Sequence, residues 1–358
     1  MIAQELARLK MQLLTRGVYV DPLAAEALTH GGRVPLFLND YPTTSGLTLR
    51  FESDVYVNAV PNRDASAGES RLLMTDSGSG YEIEDETGAR FPVGVLPLPA
   101  YESEGRAEFN GAFTHADRVR LSPISGCAYT CKFCDSPLAG YSQRSADDLL
   151  RMLQVAVHDP VLPARHALVS GGVPRPADFE TYIRTCETIV AKSPVPVDVM
   201  LPPHDLDTVD RLVDAGVAGL SMNIEIFDEE IAERLCPSKQ RLGLSGYAKA
   251  IERAVARLGE KGRVRSLLIV GLEPAASTLA GVEFIASLGC DPVLSPFRPA
   301  AGTPLAKTEP PGPDEIEPLY YAAREIAKRH GVCLGPRCIP CQHNTITLPE
   351  PGDGHYFS

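Results

Sequence analysis

Three cysteines fall within eight residues in the segment Gly126-Cys127-Ala128-Tyr129-Thr130-Cys131-Lys132-Phe133-Cys134. The C-x3-C-x2-C spacing lets three thiolates hold three irons of a [4Fe–4S] cluster and leaves the fourth iron without a protein ligand. An iron left open in this way is where a chelating cofactor binds. Zinc is a poor rival, because structural zinc takes four ligands, usually as two separated pairs. A second group, Cys333, Cys338 and Cys341, has C-x4-C-x2-C spacing, and Cys186, Cys236 and Cys290 stand apart, completing nine cysteines. Disulfide frameworks suit small secreted domains, so tight grouping in a chain of 358 residues points to metal ligation or redox chemistry.

The elements that must position these residues alternate from Arg118 onward. Short apolar runs at 119–124, 167–170, 197–201, 219–226, 264–270 and 292–297 read as strands. Stretches with the 3.6 period follow them, at 146–158, 177–191, 206–215, 229–235 with 246–258, 276–288 and 313–329. Six β/α units predict a parallel sheet curved into a partial (β/α)6 TIM-type barrel, an α/β fold with ligands at the C-terminal strand ends. The cysteine loop lies at such an end. Residues 1–115 read as a small α+β extension, opened by helical stretches Ala3–Thr15 and Pro22–Leu28 and packed as a cap. The barrel spans 116–330, and 331–358 form a cysteine-containing tail.

Further chemistry is spaced along the strand ends. In the fourth strand, alternation puts Ser221, Asn223 and Glu225 on one face, and polar groups inside a buried sheet need partners. The second strand ends in Ser170-Gly171-Gly172-Val173-Pro174, where glycine permits close backbone approach. Arg298 leaves the end of the sixth strand and suits bidentate contact with a carboxylate or phosphate, or else solvent. His204, Lys239 and Arg241 pose the same choice.

The cysteine loop, with the aromatic Phe133 before its last cysteine, resembles the signature of the radical S-adenosylmethionine (SAM) superfamily. The likeness covers about residues 118–300, with the motifs in the expected order, and looks most like the biotin synthase branch. It implies that Cys127, Cys131 and Cys134 hold a [4Fe–4S] cluster whose open iron takes the amino and carboxylate groups of SAM. It implies reductive cleavage of SAM to methionine and a 5′-deoxyadenosyl radical, which abstracts hydrogen from a small-molecule substrate. The electron would come from a donor such as flavodoxin or ferredoxin. The resemblance places Gly171 and Gly172 at the SAM amino group, Ser221, Asn223 and Glu225 at the ribose, and the backbone at Val270 and Gly271 beside adenine. Val173 departs from the acidic residue often found there. Sulfur insertion is one alternative, and a non-catalytic iron–sulfur sensor or assembly protein is another.

Three readings stay open for the C-terminal cysteines: a second iron–sulfur cluster, redox or substrate thiols, and zinc or no ligand. An extended Cys333–Cys338 segment would span about 16 Å, too far for one cluster, unless Gly335-Pro336 turns the chain. Cys338 and Cys341 are the firm pair, with Cys236 as a further metal ligand and the second cluster expected at the substrate end of the barrel. Cys290 should lie at the opposite end, and Cys186 within a helix.

The formal net charge of −12 disfavours sequence-independent nucleic-acid binding, which needs Lys and Arg to displace counterions. It leaves room for a small anion met by a few arginines. No apolar run reaches the roughly 18 residues of a membrane span, and the start is too charged for a secretory signal. A cytoplasmic location is the expectation.

Overall fold

The computed structural model describes residues 4–29, 46–62, 70–103, 111–259 and 262–355. The N-terminal region begins with α1 (Gln4–Arg16), β1 (Val18–Val20) and α2 (Pro22–Thr29); Ala3, expected in the first helix, lies outside the described residues. Next come β2 (Leu47–Phe51), β3 (Tyr56–Ala59), β4 (Pro61–Asn62), β5 (Arg71–Met74), β6 (Tyr81–Glu84), β7 (Arg90–Val95) and the short α3 (Ala100–Ser103). The seven strands form one sheet, ordered β3-β2-β7-β6-β5-β1-β4. Helix α1 buries Leu6, Leu9, Leu13 and Leu14 on the periodic face that its sequence marks.

The second sheet positions the site. It contains β8 (Ala112–His115), β9 (Arg118–Leu121), β12 (His166–Val169), β13 (Val197–Met200), β14 (Gly219–Ser221), β15 (Val264–Val270) and β16 (Asp291–Pro296). A two-stranded ribbon of β10 (Ile124–Ser125) and β11 (Ser142–Gln143) flanks the cysteine loop. The helices are α4 (Ala146–Val157), α5 (Phe179–Lys192), α6 (Leu206–Asp214), α7 (Glu229–Leu235), α8 (Pro237–Gln240), α9 (Gly243–Leu258), α10 (Ala275–Ser287) and α11 (Pro313–Arg329). The six strands from β9 to β16 are parallel and neighbour one another in sequence order, as in a curled partial barrel. Side-chain caps start several helices: Ser145 accepts from the Asp148 N–H, Asp205 from Thr208 and Asp228 from Ile231.

Two features depart from the sequence reading. The sheet gains an antiparallel edge strand, β8, from residues expected in the N-terminal extension. The fourth strand is regular only to Ser221. Beyond it, Asn223 Oδ1 accepts from the Leu267 N–H (3.3 Å), and the Ile224 N–H donates to Ser266 Oγ (3.3 Å). Side chains thus replace ladder bonds, and the chain re-pairs with β15 only at Glu225, whose φ is 70°. Such left-handed backbone in a non-glycine residue is costly and clusters at functional sites.

The tail brings its cysteine pair to the N-terminal ends of the strands and rises only afterwards, as far as Asn344, whose carbonyl accepts from Ser295 Oγ (2.9 Å). After α11 it runs along β16, where the Gly335 N–H donates to the Pro292 carbonyl and that of Ile346 to Leu294. Lys10 of α1, fully buried, donates to the Gln342 and Thr347 carbonyls and ties the tail to the N-terminal region.

Candidate active site

Cys127, Cys131 and Cys134 are free thiols, partly exposed, on the loop after β10 at the C-terminal edge of the barrel. Cys127 Sγ accepts from the backbone N–H of Tyr129 (3.3 Å) and of Val173 (3.2 Å). The Lys132 N–H donates to the Leu235 carbonyl (2.8 Å), fixing the loop to the end of α7. Burial pushes the Cys131 thiol up to about 12 and raises that of Cys134. Iron coordination would deprotonate such thiols outright.

The glycine turn after β12 has a definite steric task. A Cβ on Gly172 would lie 1.6 Å from the Gly126 carbonyl oxygen, so only glycine lets the cysteine loop rest there. Gly171, at φ 154°, instead faces the interior cavity.

That cavity, of ≈ 250 Å³, lies inside the barrel, just under the roughly 300–1,000 Å³ of small-molecule sites. Phe133, Cys134, Asn223, Glu225 and Met200 border it near the cysteine loop. Arg118, Arg120, Arg298 and His115 border it elsewhere. Burial pushes the Arg298 guanidinium down only to about 10, so it stays charged at neutral pH, and it donates to the Asn58 carbonyl (3.3 Å). Burial pushes His115 down to about 3, so that imidazole is neutral. The lining therefore joins the Cys134 thiol and the Asn223 and Glu225 side chains to a cationic region. Arg118 and Arg120 were not singled out in the sequence, although two arginines at alternate positions of a buried strand carry the signal.

The remaining predicted residues fall in different places. Glu225 Oε1 accepts from Lys239 Nζ at 2.6 Å, and Lys239 also donates to the Asn223 carbonyl (3.1 Å). Ser221 is buried off the cavity and donates to Asn223 Oδ1 (2.9 Å). Val270 and Gly271 do not border the cavity. Val270 accepts from the Phe297 N–H through its carbonyl, and Gly271 packs under Pro311, which a Cβ would meet at 2.7 Å. His204 stacks on Phe179 outside the cavity, with centroids 3.8 Å apart.

The expected grouping of Cys236 with Cys338 and Cys341 is corrected. Cys236 caps α7 and packs in a small apolar cluster with Cys131 and Phe133, at the other end of the strands. Cys338 and Cys341 meet His166, the first residue of β12, and Asp117, which precedes β9. They lie at the N-terminal end of the sheet because His166 and Asp117 stand where β12 and β9 begin. His166 and Ser170 are four residues apart on one strand and its exit, about 13 Å. Cys333 does not join the pair; its N–H donates to Asp291 Oδ1 (3.2 Å), which also receives Arg337.

A curled parallel sheet carries three thiols on the loop after its first parallel strand, and this is the region in which the chain resembles a known family. Residues 121–274 match the model of the radical SAM superfamily. It is 26% identical over 129 residues to the bacteriochlorophyllide c C-7(1)-hydroxylase of Chlorobaculum limnaeum. That stretch covers 36% of this chain, and the chain spans 31% of the length of that relative. Among solved structures, the FeFe-hydrogenase maturase HydG of Carboxydothermus hydrogenoformans is similar at a TM-score of 0.49 and 14% identity, over 63% of this chain and 55% of that one. A radical SAM methyltransferase from Sphaerobacter thermophilus is similar at 0.48 and 16% identity, over 76% and 77%. Among the described residues, no helix is long and apolar enough to cross a membrane.

Proposed function

We propose that this protein is a radical SAM enzyme acting on a small anionic molecule held inside the barrel. The observation that carries the reading is the cavity itself, which joins the three-cysteine loop to Asn223 and Glu225 and to the cationic group of Arg118, Arg120 and Arg298. When bound at the loop, a [4Fe–4S] cluster and SAM supply reductive cleavage to methionine and a 5′-deoxyadenosyl radical able to abstract hydrogen from an unactivated carbon. The residues present fit that pair. Cys127, Cys131 and Cys134 hold three irons, and Gly172 keeps the loop seated. Glu225 accepts a hydrogen bond from a ribose hydroxyl and the Asn223 amide donates one to the ribose, while Lys239 orients the Glu225 carboxylate. Phe133 shields the cluster side from water. The arginines hold a carboxylate or phosphate of the substrate. A flavodoxin- or ferredoxin-type donor provides the electron. A sulfur-donating site is not part of the proposal, since neither Cys338 nor Cys341 borders the cavity.

The test is 5′-deoxyadenosine formation from SAM by anaerobically reconstituted, reduced protein. Turnover is expected in the wild type and absent from Cys127→Ala, Cys131→Ala and Cys134→Ala, each with its fold retained by circular dichroism. Product from all three variants would overturn the reading.

A further inference from the structure

The four-residue group at the N-terminal end of the barrel lies outside this chemistry. Asp117, His166, Cys338 and Cys341 each offer one donor atom, and those atoms all lie within 4.8 Å of one another. His166 Nε2 stands 3.1 Å from Cys341 Sγ and 3.9 Å from Cys338 Sγ, while its Nδ1 faces Asp117 Oδ1 at 3.8 Å. His166, Cys338 and Cys341 are buried. Both Asp117 carboxylate oxygens are buried with no hydrogen-bond partner. His355 Nδ1 stands 3.6 Å from one of them. A buried carboxylate in that state needs a positive centre, by ion pairing or by metal coordination.

We propose that Asp117, His166, Cys338 and Cys341 form a closed structural site for one divalent ion of the zinc class. Donors that share one tetrahedral ion at zinc–ligand lengths of about 2.0–2.3 Å stand about 3.3–3.8 Å apart; His166 Nε2 stands 3.1 and 3.9 Å from the two sulfurs, and the group as a whole must contract from spacings of up to 4.8 Å to close on an ion. An iron–sulfur cluster distributes its ligands over several irons and needs them farther apart. Two thiolates, one imidazole and one carboxylate are also a zinc-type donor set. Binding releases the two thiol protons, because the thiolate is the ligand. The ion and its ligands then carry one net negative charge.

The topology gives the ion a task. The sheet is open, with β16 at one edge and β8, paired to β9, at the other. The tail is bonded to β16 through Gly335 and Ile346. Through Cys338 and Cys341 it also reaches His166 on β12 and Asp117 before β9. One ion therefore fastens the tail across the seam of the partial barrel. None of its four ligands borders the cavity, so no position is offered to substrate. Closed, four-ligand coordination is the mark of structural zinc.

The test measures metals in the full chain, reconstituted with iron, sulfide and zinc. About one zinc and about four irons per chain are expected. X-ray absorption at the zinc edge should give two sulfur and two nitrogen or oxygen neighbours. Cys338→Ser/Cys341→Ser should lose the zinc at least tenfold while keeping the four irons and 5′-deoxyadenosine formation. Because that variant can fail to fold, the wild-type measurement stands by itself. Absence of zinc, extra iron with matching sulfide, or a zinc site with another ligand set overturns the proposal. These readouts do not use the turnover that tests the catalytic reading, so the two can fail separately.

Discussion

Lys239 Nζ lies 2.6 Å from Glu225 Oε1, and both side chains are largely buried, at 13% and 14% exposure. Burial pulls the Lys239 ammonium down, but the neighbouring Glu225 carboxylate outweighs this and raises its pKa. The pair joins α8 to the irregular end of the fourth barrel strand. It thereby holds a carboxylate against the cavity at a residue whose left-handed φ alone would be unfavourable.

Glu225→Ala is therefore expected to do two things. SAM affinity should fall about 10- to 150-fold, the loss of one charge-assisted hydrogen bond worth about 1.5–3 kcal/mol. Stability should fall by about 3 kcal/mol, because Lys239 is left buried without its partner. Adding Lys239→Met should restore much of the stability and none of the affinity. Calorimetric SAM titration and urea midpoints on the three proteins check this. Restored SAM affinity in the double variant would show that the carboxylate does not touch the cofactor.

Gly172→Ala should displace the cysteine loop, since the new Cβ meets the Gly126 carbonyl. Iron content after reconstitution is expected to drop severalfold with helix content unchanged. Gly140→Ala is the control, since a Cβ there meets nothing within 4 Å. Equal iron in both variants would mean that the loop accommodates the methyl.

Lys10 should make stability depend on pH. Burial pushes its ammonium down to about 7 in the folded chain, against about 10.4 when unfolded. Between those values the unfolded chain binds more protons, so stability rises with pH through that window. From pH 7 to 9 the gain should be about 2 kcal/mol, and it should vanish in Lys10→Met. Denaturation midpoints at the two pH values measure the difference. A slope shared by both proteins would assign it to other groups.

The sequence by itself determined what is local or periodic. Cysteine spacing within eight residues confines three thiols to one loop, whatever the rest of the chain does. The 3.6 period and the apolar runs marked the parallel strands and their helices, down to α11 at Pro313–Arg329. Tertiary structure decided which distant groups meet. Cys236 and Cys338 both looked available for one site, yet the first caps α7 beside Cys131 and the second follows the tail to His166. No spacing rule links Asp117, His166 and Cys341, because they come together only when β9, β12 and the tail are packed side by side. The bend at Glu225 was equally hidden. Simple alternation extends a strand, whereas here the Ser266 hydroxyl and Asn223 carboxamide take over ladder bonds and end it at Ser221.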